Sequence, residues 1–405
     1  MKILFVISNF KVGGSEGYIC DLFSDETFKN DVIELLVLGV KSPLQVERLG
    51  PKIIVRDLSD YLSRPARILY KLLSRFKSAI FLLFFPFLRS SKIQDYNVIH
   101  CMDSESIYVA SRILTKVVIT TGIYHSNEFF YKSKLKYKEK LDTTLRKIPI
   151  ENVYSSNHNM LMRHSRYFAE GKKGLNVFHM GISLKAKSKK KIGLQKRVIA
   201  AGRMVGYKTF FEDLISLWIA NSDSLRDFEL LIVGDGPKRK RLETYAKTCP
   251  KIKFLGIQSH ANLIDLIQNS FCYVGSGLTL MMAARLGVPS IVCIDNGKSG
   301  VVLGRFDQLK EIKFHLNENE KGFDMGEKLK EFLGETGQEY KNIRQKTKKM
   351  AEQFSLTLHS KKLKEFFIQA AGADMLGEKI TIIDILELVL SDYLKLDNSF
   401  RNRYF

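Results

Sequence analysis

The sequence has 405 residues, a length that favours two or three domains and excludes a single small binding module. Apolar residues make up 45% and charged residues 26%, with 27 Gly and 8 Pro, which excludes a disordered or fibrous chain. Lys and Arg number 64 against 43 Asp and Glu, a formal +21 that favours approach to phosphorylated ligands, anionic lipid or nucleic acid. Short apolar runs predict strands at 2–7, 32–38, 53–55, 98–101, 117–121 and 152–155, then at 197–201, 229–233, 253–254, 271–274 and 290–293. Longer stretches of helical period separate them, the alternation that builds parallel sheets covered by helices, so the fold class is α/β with two doubly wound units. Residues 1–183 form the expected first domain, 184–196 a polar, basic linker, 197–360 the second domain and 361–405 a helical tail, with ITIIDILELVLSDY at 380–393 as an amphipathic end.

The N-terminal MKILFVISNF has no long apolar region or small-residue cleavage site and is not expected to be a signal peptide. The most hydrophobic run, AIFLLFFPFL at 79–88, is about half of the roughly 20 residues a spanning helix needs, so no segment is expected to cross a bilayer. Cys20, Cys101, Cys249, Cys272 and Cys293 are odd in number and scattered without a C-x-x-C spacing, which reads as reduced core thiols in a cytoplasmic protein.

Three motifs place glycines or cations between a strand and a helix. SNFKVGGSE puts Gly13 and Gly14 between the first strand and a helix opening at Glu16; the pair lets backbone approach an anionic ligand, or makes an ordinary tight turn. It is not a G-x-G-x-x-G, so a dinucleotide fingerprint is unsupported. VIAAGRMVGYK sets Arg203 and Lys208 just past a strand's carboxyl end, where open α/β sheets bind ligands, and a diphosphate suits a forked guanidinium beside a point charge. LLIVGDGP ends a strand at Gly234 and starts a helix at its Pro, and VGSGLTLMMAARLGVP carries Gly275, Gly277 and Leu278 into a helix of small and apolar residues.

The series GGSE, GRMVGYK, LLIVGDGP, FLG and GLTLMMAARLGVPSIV resembles the retaining, GT-B fold glycosyltransferases of group 1, the family 4 type, from the N-terminus to about residue 300. The resemblance implies two Rossmann-like domains facing across a cleft, and a nucleotide-sugar donor, expected to be UDP-linked, held mainly by the second. It implies that Arg203 and Lys208 grip the diphosphate, that Gly13, Gly14 and Gly234 lie at the donor, and that Gly275, Gly277 and Leu278 face its sugar and phosphate. No metal and no further cofactor are implied, because cations and a helix N-terminus neutralise the leaving diphosphate. His125, in ITTGIYHSNEFF, matches a family histidine that hydrogen-bonds the donor sugar or the acceptor, and Glu128 orients it or meets the acceptor. The family's two glutamates around the Gly-Leu loop are here Val274 and Met282, which cannot accept a comparable hydrogen bond.

The segment 64–92, RPARILYKLLSRFKSAIFLLFFPFLRSSK, holds seven cations and no acid. Arg67, Lys71 and Arg75 recur at helical spacing beside an apolar face, and Phe84 and Phe85 follow, the pattern of an in-plane helix on an anionic membrane; a core helix with a solvated basic face is the alternative. Lysines at 132–140 and 185–191 read as solvated faces or loops, and the stacking aromatics of a nucleic-acid binder are missing, so no nucleic-acid partner is expected. Together these features predict a glycosyltransferase peripheral to the inner face of the plasma membrane, acting on a lipid-linked or cell-surface glycan in polysaccharide, lipopolysaccharide or capsule synthesis. The alternatives are a catalytically weak relative acting as a scaffold in glycan assembly, or a nucleotide-sugar epimerase of the same fold.

Overall fold

The computed structural model describes residues 1–11, 13–57, 60, 95–113, 117–124, 128–129, 136–171, 174–184, 194–295, 297–316, 320–335 and 337–371. The basic segment 64–92 with Arg67, Lys71, Arg75, Phe84 and Phe85, His125, the lysines at 185–191 and the pattern at 380–393 lie outside the described residues. The described residues divide into two compact units, Met1–Gly181 with Leu356–Ala371, and Ile182–Ser355.

In the first unit, β1 (Lys2–Ile7), β2 (Val32–Val37), β3 (Ile54–Asp57), β4 (Val98–Cys101), β5 (Val118–Ile123), β6 (Val153–Ser155) and β7 (Asn176–Val177) form one sheet of order β3-β2-β1-β4-β5-β6-β7. Every neighbouring pair is parallel. Strands buried on both faces must be apolar throughout, and KILFVI in β1 meets that requirement, with Ile3 to Val6 fully buried. The connecting helices are α1 (Gly14–Phe23), α2 (Pro43–Arg48), α3 (Ser104–Ile113), α4 (Lys136–Leu145) and α5 (His158–Ser165). Asn157 starts α5 by accepting from the Met160 N–H at 2.7 Å. One face of the sheet is closed by Leu4, Val6, Ile99, Cys101 and Ile119 packing with Ile107, Tyr108, Leu141 and Leu161 of these helices.

The second unit repeats the plan with β8 (Gln195–Ala201), β9 (Glu229–Val233), β10 (Ile252–Gly256), β11 (Ser270–Gly275), β12 (Ser290–Cys293), β13 (Val301–Arg305) and β14 (Phe323–Asp324), in the order β10-β9-β8-β11-β12-β13-β14. The last two strands are antiparallel to their neighbours, an edge hairpin that the apolar pattern did not predict. Helices α6 (Phe210–Ala220), α7 (Arg239–Ala246), α8 (His260–Gln268), α9 (Leu278–Arg285), α10 (Met325–Leu333) and α11 (Gly337–Met350) cover the sheet. The helix expected from Pro237 begins at Arg239, after a turn in which the Lys238 N–H donates to the Met204 carbonyl. In both sheets the chain runs outward through three strands, then returns to the other side of the first. The reversal falls between β1 and β4 in one unit and between β8 and β11 in the other.

Helix α12 (Leu356–Ala371) belongs to the first unit, although a division by position along the chain cuts it at 360. It covers the sheet face opposite the α3 to α5 layer. Phe367 lies 5.9 Å from Phe5 and 5.1 Å from His100, Phe366 lies 6.0 Å from Tyr154, and both phenylalanines are buried. Burial of that extent stabilises by roughly 1.5–3 kcal/mol for each ring. Lys364 adds an ion pair to Asp31 at 2.7 Å. Among the described residues no helix is long and apolar enough to cross a membrane, and all five cysteines are buried and free.

Candidate functional site

Ligands of open α/β sheets gather outside the carboxyl ends of the strands where the order reverses. In the second unit that point lies between the loop after β8, which carries Gly202, Arg203 and Lys208, and the loop after β11, which carries Gly275, Ser276 and Gly277. The β8 loop rests on the loop after β9: the Gly202 N–H donates to the Val233 carbonyl at 3.0 Å and the Met204 N–H to the Asp235 carbonyl at 2.9 Å. The two backbones are so close that a Cβ on Gly234, whose φ is +123°, would stand 2.1 Å from the Gly202 oxygen. Gly234 thereby supports the loop bearing the two cations. On the other side, Thr279 at the start of α9 donates to the Ala201 carbonyl at 2.9 Å, and the Tyr273 hydroxyl lies 3.0 Å from the same oxygen, fastening the β11 loop to the end of β8.

Lys208 points into the notch between these loops. Cβ atoms added at Gly202 and Gly277 would lie 3.2 Å and 4.0 Å from its Nζ. Burial pulls the ammonium below the ordinary lysine range; Asp295 opposes that pull and the neighbouring Arg203 cation adds to it. Tyr207 feels the same field: burial raises its phenol, Asp295 raises it further and Arg203 lowers it. A cation held at a cost in a half-buried notch, beside a second cation, gains from an anion that enters. Helix α9 opens at the same place with Gly277 as its N-cap, at φ +75°, without a side-chain cap and with Leu278 as its first residue. Its first-turn N–H groups and helix dipole favour negative charge.

Val274 and Met282 both stand in apolar surroundings, Val274 among Val198, Ala200 and Ile291, Met282 among Ile199, Ala201 and Leu280. In the first unit Gly13 is the N-cap of α1 in extended backbone and Gly14 is its first residue. Between β1 and β4 of that unit, the Ser8 N–H and hydroxyl donate to Asp103 at 2.9 and 2.5 Å. Glu128 is buried and acts electrostatically on the Tyr124 phenol. Thus Arg203, Lys208, Gly234, Gly275, Gly277 and Leu278 are brought to one sheet edge, while Gly13, Gly14 and Glu128 belong to the other unit. Sequence patterns missed Ser276, Tyr207, Asp295 and Asp103. Of these only Ser276 carried a signal, its place inside the Gly-Leu loop. Among the described residues no group of His, Cys, Asp or Glu is arranged to hold a metal ion.

No family model matches the sequence, and no curated protein matches it. Solved structures do match the fold. A sucrose-phosphate synthase of Thermosynechococcus elongatus aligns at a TM-score of 0.62 and 13% identity, over 91% of this chain and 98% of that one. A complex of S. aureus TarM with fondaparinux, α-GlcNAc-glycerol and UDP aligns at 0.60 and 12%, over 92% and 100%. The lipopolysaccharide outer core galactosyltransferase WaaB in its apo form aligns at 0.53 and 16%, over 91% and 99%. The two-unit α/β fold of this chain is therefore that of GT-B glycosyltransferases.

Proposed function

We propose that this chain is a retaining glycosyltransferase that takes a sugar from a nucleotide donor, UDP-linked in the first instance, and transfers it to a lipid-linked or cell-surface glycan without a metal. The observation that carries the reading is Lys208, lodged between Gly202 and Gly277 at the strand-order reversal of the second unit, with Arg203 on the same loop and near enough to act on it electrostatically. Departure of a nucleoside diphosphate concentrates negative charge on its phosphates, and two fixed cations with a helix N-terminus stabilise that charge without solvent reorganisation. The fold neighbours support the class: one binds UDP, and another is named for the outer core of lipopolysaccharide. A second reading, a catalytically weak scaffold, draws on the apolar settings of Val274 and Met282.

Incubation with UDP-, GDP- and ADP-sugars, with and without membrane extract, separates these readings. A transferase releases nucleoside diphosphate fastest with the extract, an epimerase changes the sugar without it, and a scaffold does neither. Arg203→Ala and Lys208→Ala are each expected to weaken nucleoside diphosphate binding tenfold or more, with melting temperatures near wild type. Because burial lowers the Lys208 pKa and a bound anion raises it, affinity is expected to decline as pH rises toward the ordinary value of 10.5, and Lys208→Arg to remove the decline. Unchanged affinity in both alanine variants removes these residues from the site.

The placement at an anionic membrane surface rests on the sequence of 64–92 alone. Flotation with anionic vesicles is expected to weaken but not vanish as salt rises, since about 1 M salt shortens the Debye length to roughly 3 Å while leaving apolar insertion intact. Arg67, Lys71 and Arg75 changed to Gln should remove the salt-sensitive part, and Phe84 and Phe85 changed to Ser the rest. Vesicle binding indifferent to both sets ends the proposal.

A further inference from the structure

Beside the two cations stands a carboxylate for which a phosphate site has no use. Asp295 follows β12 by two residues, and its backbone N–H donates to the Phe314 carbonyl at 2.9 Å. Its Oδ1 accepts from the Ser276 hydroxyl at 2.8 Å, and Ser276 is fully buried in the same turn as Gly277. The loop is tied down again where Ser299 donates to Asp213 of α6 at 2.5 Å. Asp295 is therefore held in place next to the Lys208 notch, and its field reaches both Lys208 and Tyr207. Among the described residues no cation lies within 4.0 Å of its carboxylate, and Oδ2 has no hydrogen-bond donor.

A fixed negative charge beside phosphate-binding cations weakens the binding of phosphate itself. It is useful there only to a ligand that offers a hydrogen-bond donor next to its phosphates, and a carboxylate accepts strongly from a hydroxyl. We propose that Asp295, oriented by Ser276, is a specificity-determining residue that accepts a hydrogen bond from a sugar hydroxyl flanking the diphosphate. The hydroxyl belongs either to the transferred sugar or to the nucleotide's ribose. The inference rests on the diphosphate reading of Arg203 and Lys208.

The two contributions of Asp295 have opposite signs, which makes them separable. Calorimetry on the full chain compares wild type, Asp295→Asn and Asp295→Ala with inorganic pyrophosphate, UDP, 2′-deoxy-UDP and UDP-glucose. Pyrophosphate, which has no hydroxyl to offer, is expected to bind the variants as tightly as wild type or severalfold tighter. A hydroxyl-bearing ligand is expected to lose tenfold or more in Asp295→Ala and less in Asp295→Asn, which keeps the shape and a carbonyl acceptor. A loss seen with UDP but not with 2′-deoxy-UDP assigns the ribose, and a loss confined to UDP-glucose assigns the transferred sugar. All ligands shifting by one factor would mean that Asp295 acts only through Lys208, and that overturns this inference while leaving the diphosphate site standing. Wild-type protein binding neither pyrophosphate nor any nucleotide, with GDP and ADP tried beside UDP, overturns both.

Discussion

Gly234→Ala is expected to lower the unfolding free energy by about 3–5 kcal/mol and to abolish nucleotide binding in whatever folded protein remains. A methyl group at this position would lie 2.1 Å from the Gly202 carbonyl oxygen, which is backbone and cannot swing aside. The φ of +123° adds strain for any residue with a side chain. Overpacking and an unfavourable backbone each cost roughly 1–3 kcal/mol. Relief requires the β8 and β9 loops to separate, breaking the Gly202 and Met204 hydrogen bonds and displacing Arg203 and Lys208. Thermal and urea unfolding of the full chain measure the first effect and calorimetry the second. A variant with a wild-type melt and wild-type affinity would show that the two loops are not in contact.

Mild acid is expected to destabilise the first unit strongly. The His359 Nδ1–H donates to the His179 carbonyl at 2.8 Å, so its Nε2 accepts from the Tyr18 hydroxyl at 2.5 Å. His100 is paired with Thr120 at 2.9 Å and Tyr124 at 2.6 Å; the Thr120 hydroxyl in turn donates to the Ile99 carbonyl. Burial holds His100 down to about 3 and His359 to about 4, from the ordinary 6.5. For His359 the His179 carbonyl and Asp25 work against the shift, and for His100 the neighbouring His359 adds to it. Both rings are neutral in the folded protein, whereas the unfolded chain takes up protons below pH 6.5. The stability they allow is therefore complete above pH 6.5 and is lost as pH falls toward 4, at about 1.4 kcal/mol per pH unit and histidine, or about 4 kcal/mol for the pair at pH 5. Melting temperatures between pH 7.5 and 5 measure this, and His359→Gln should flatten the dependence by about half. A wild-type melting temperature that does not move over this range refutes it.

Strands were legible where they are buried on both faces. The runs at 2–7, 98–101, 229–233 and 290–293 match β1, β4, β9 and β12 residue for residue, because a central strand covered on both faces has no solvent face to interrupt its apolar run. β7 and β14, at two residues each, are too short to leave a pattern, and β13 ends in Gly304 and Arg305, which read as loop. Arg203 and Lys208 could be picked out because a strand end and a nearby glycine mark them locally. Asp295 could not: a lone acid in a loop acquires meaning only when the sheet brings β12 beside β11 and Ser276 within reach. Nor does anything in LTLHSKKLKEFFIQAA say which sheet its buried phenylalanines will face.

The return of α12 to the first unit sets an order of events during synthesis. Phe5, His100 and Tyr154 are translated early, but the helix that covers them emerges only after the whole of Ile182–Ser355. At about 5–20 residues per second the first sheet waits on the order of ten to thirty seconds with one aromatic face covered only in part, by Tyr18 and Phe23 of α1, while the second unit has all its own residues and can close. The nascent chain is therefore most exposed to aggregation and to chaperones in that interval, and a chain truncated before Leu356 would keep this vulnerability permanently.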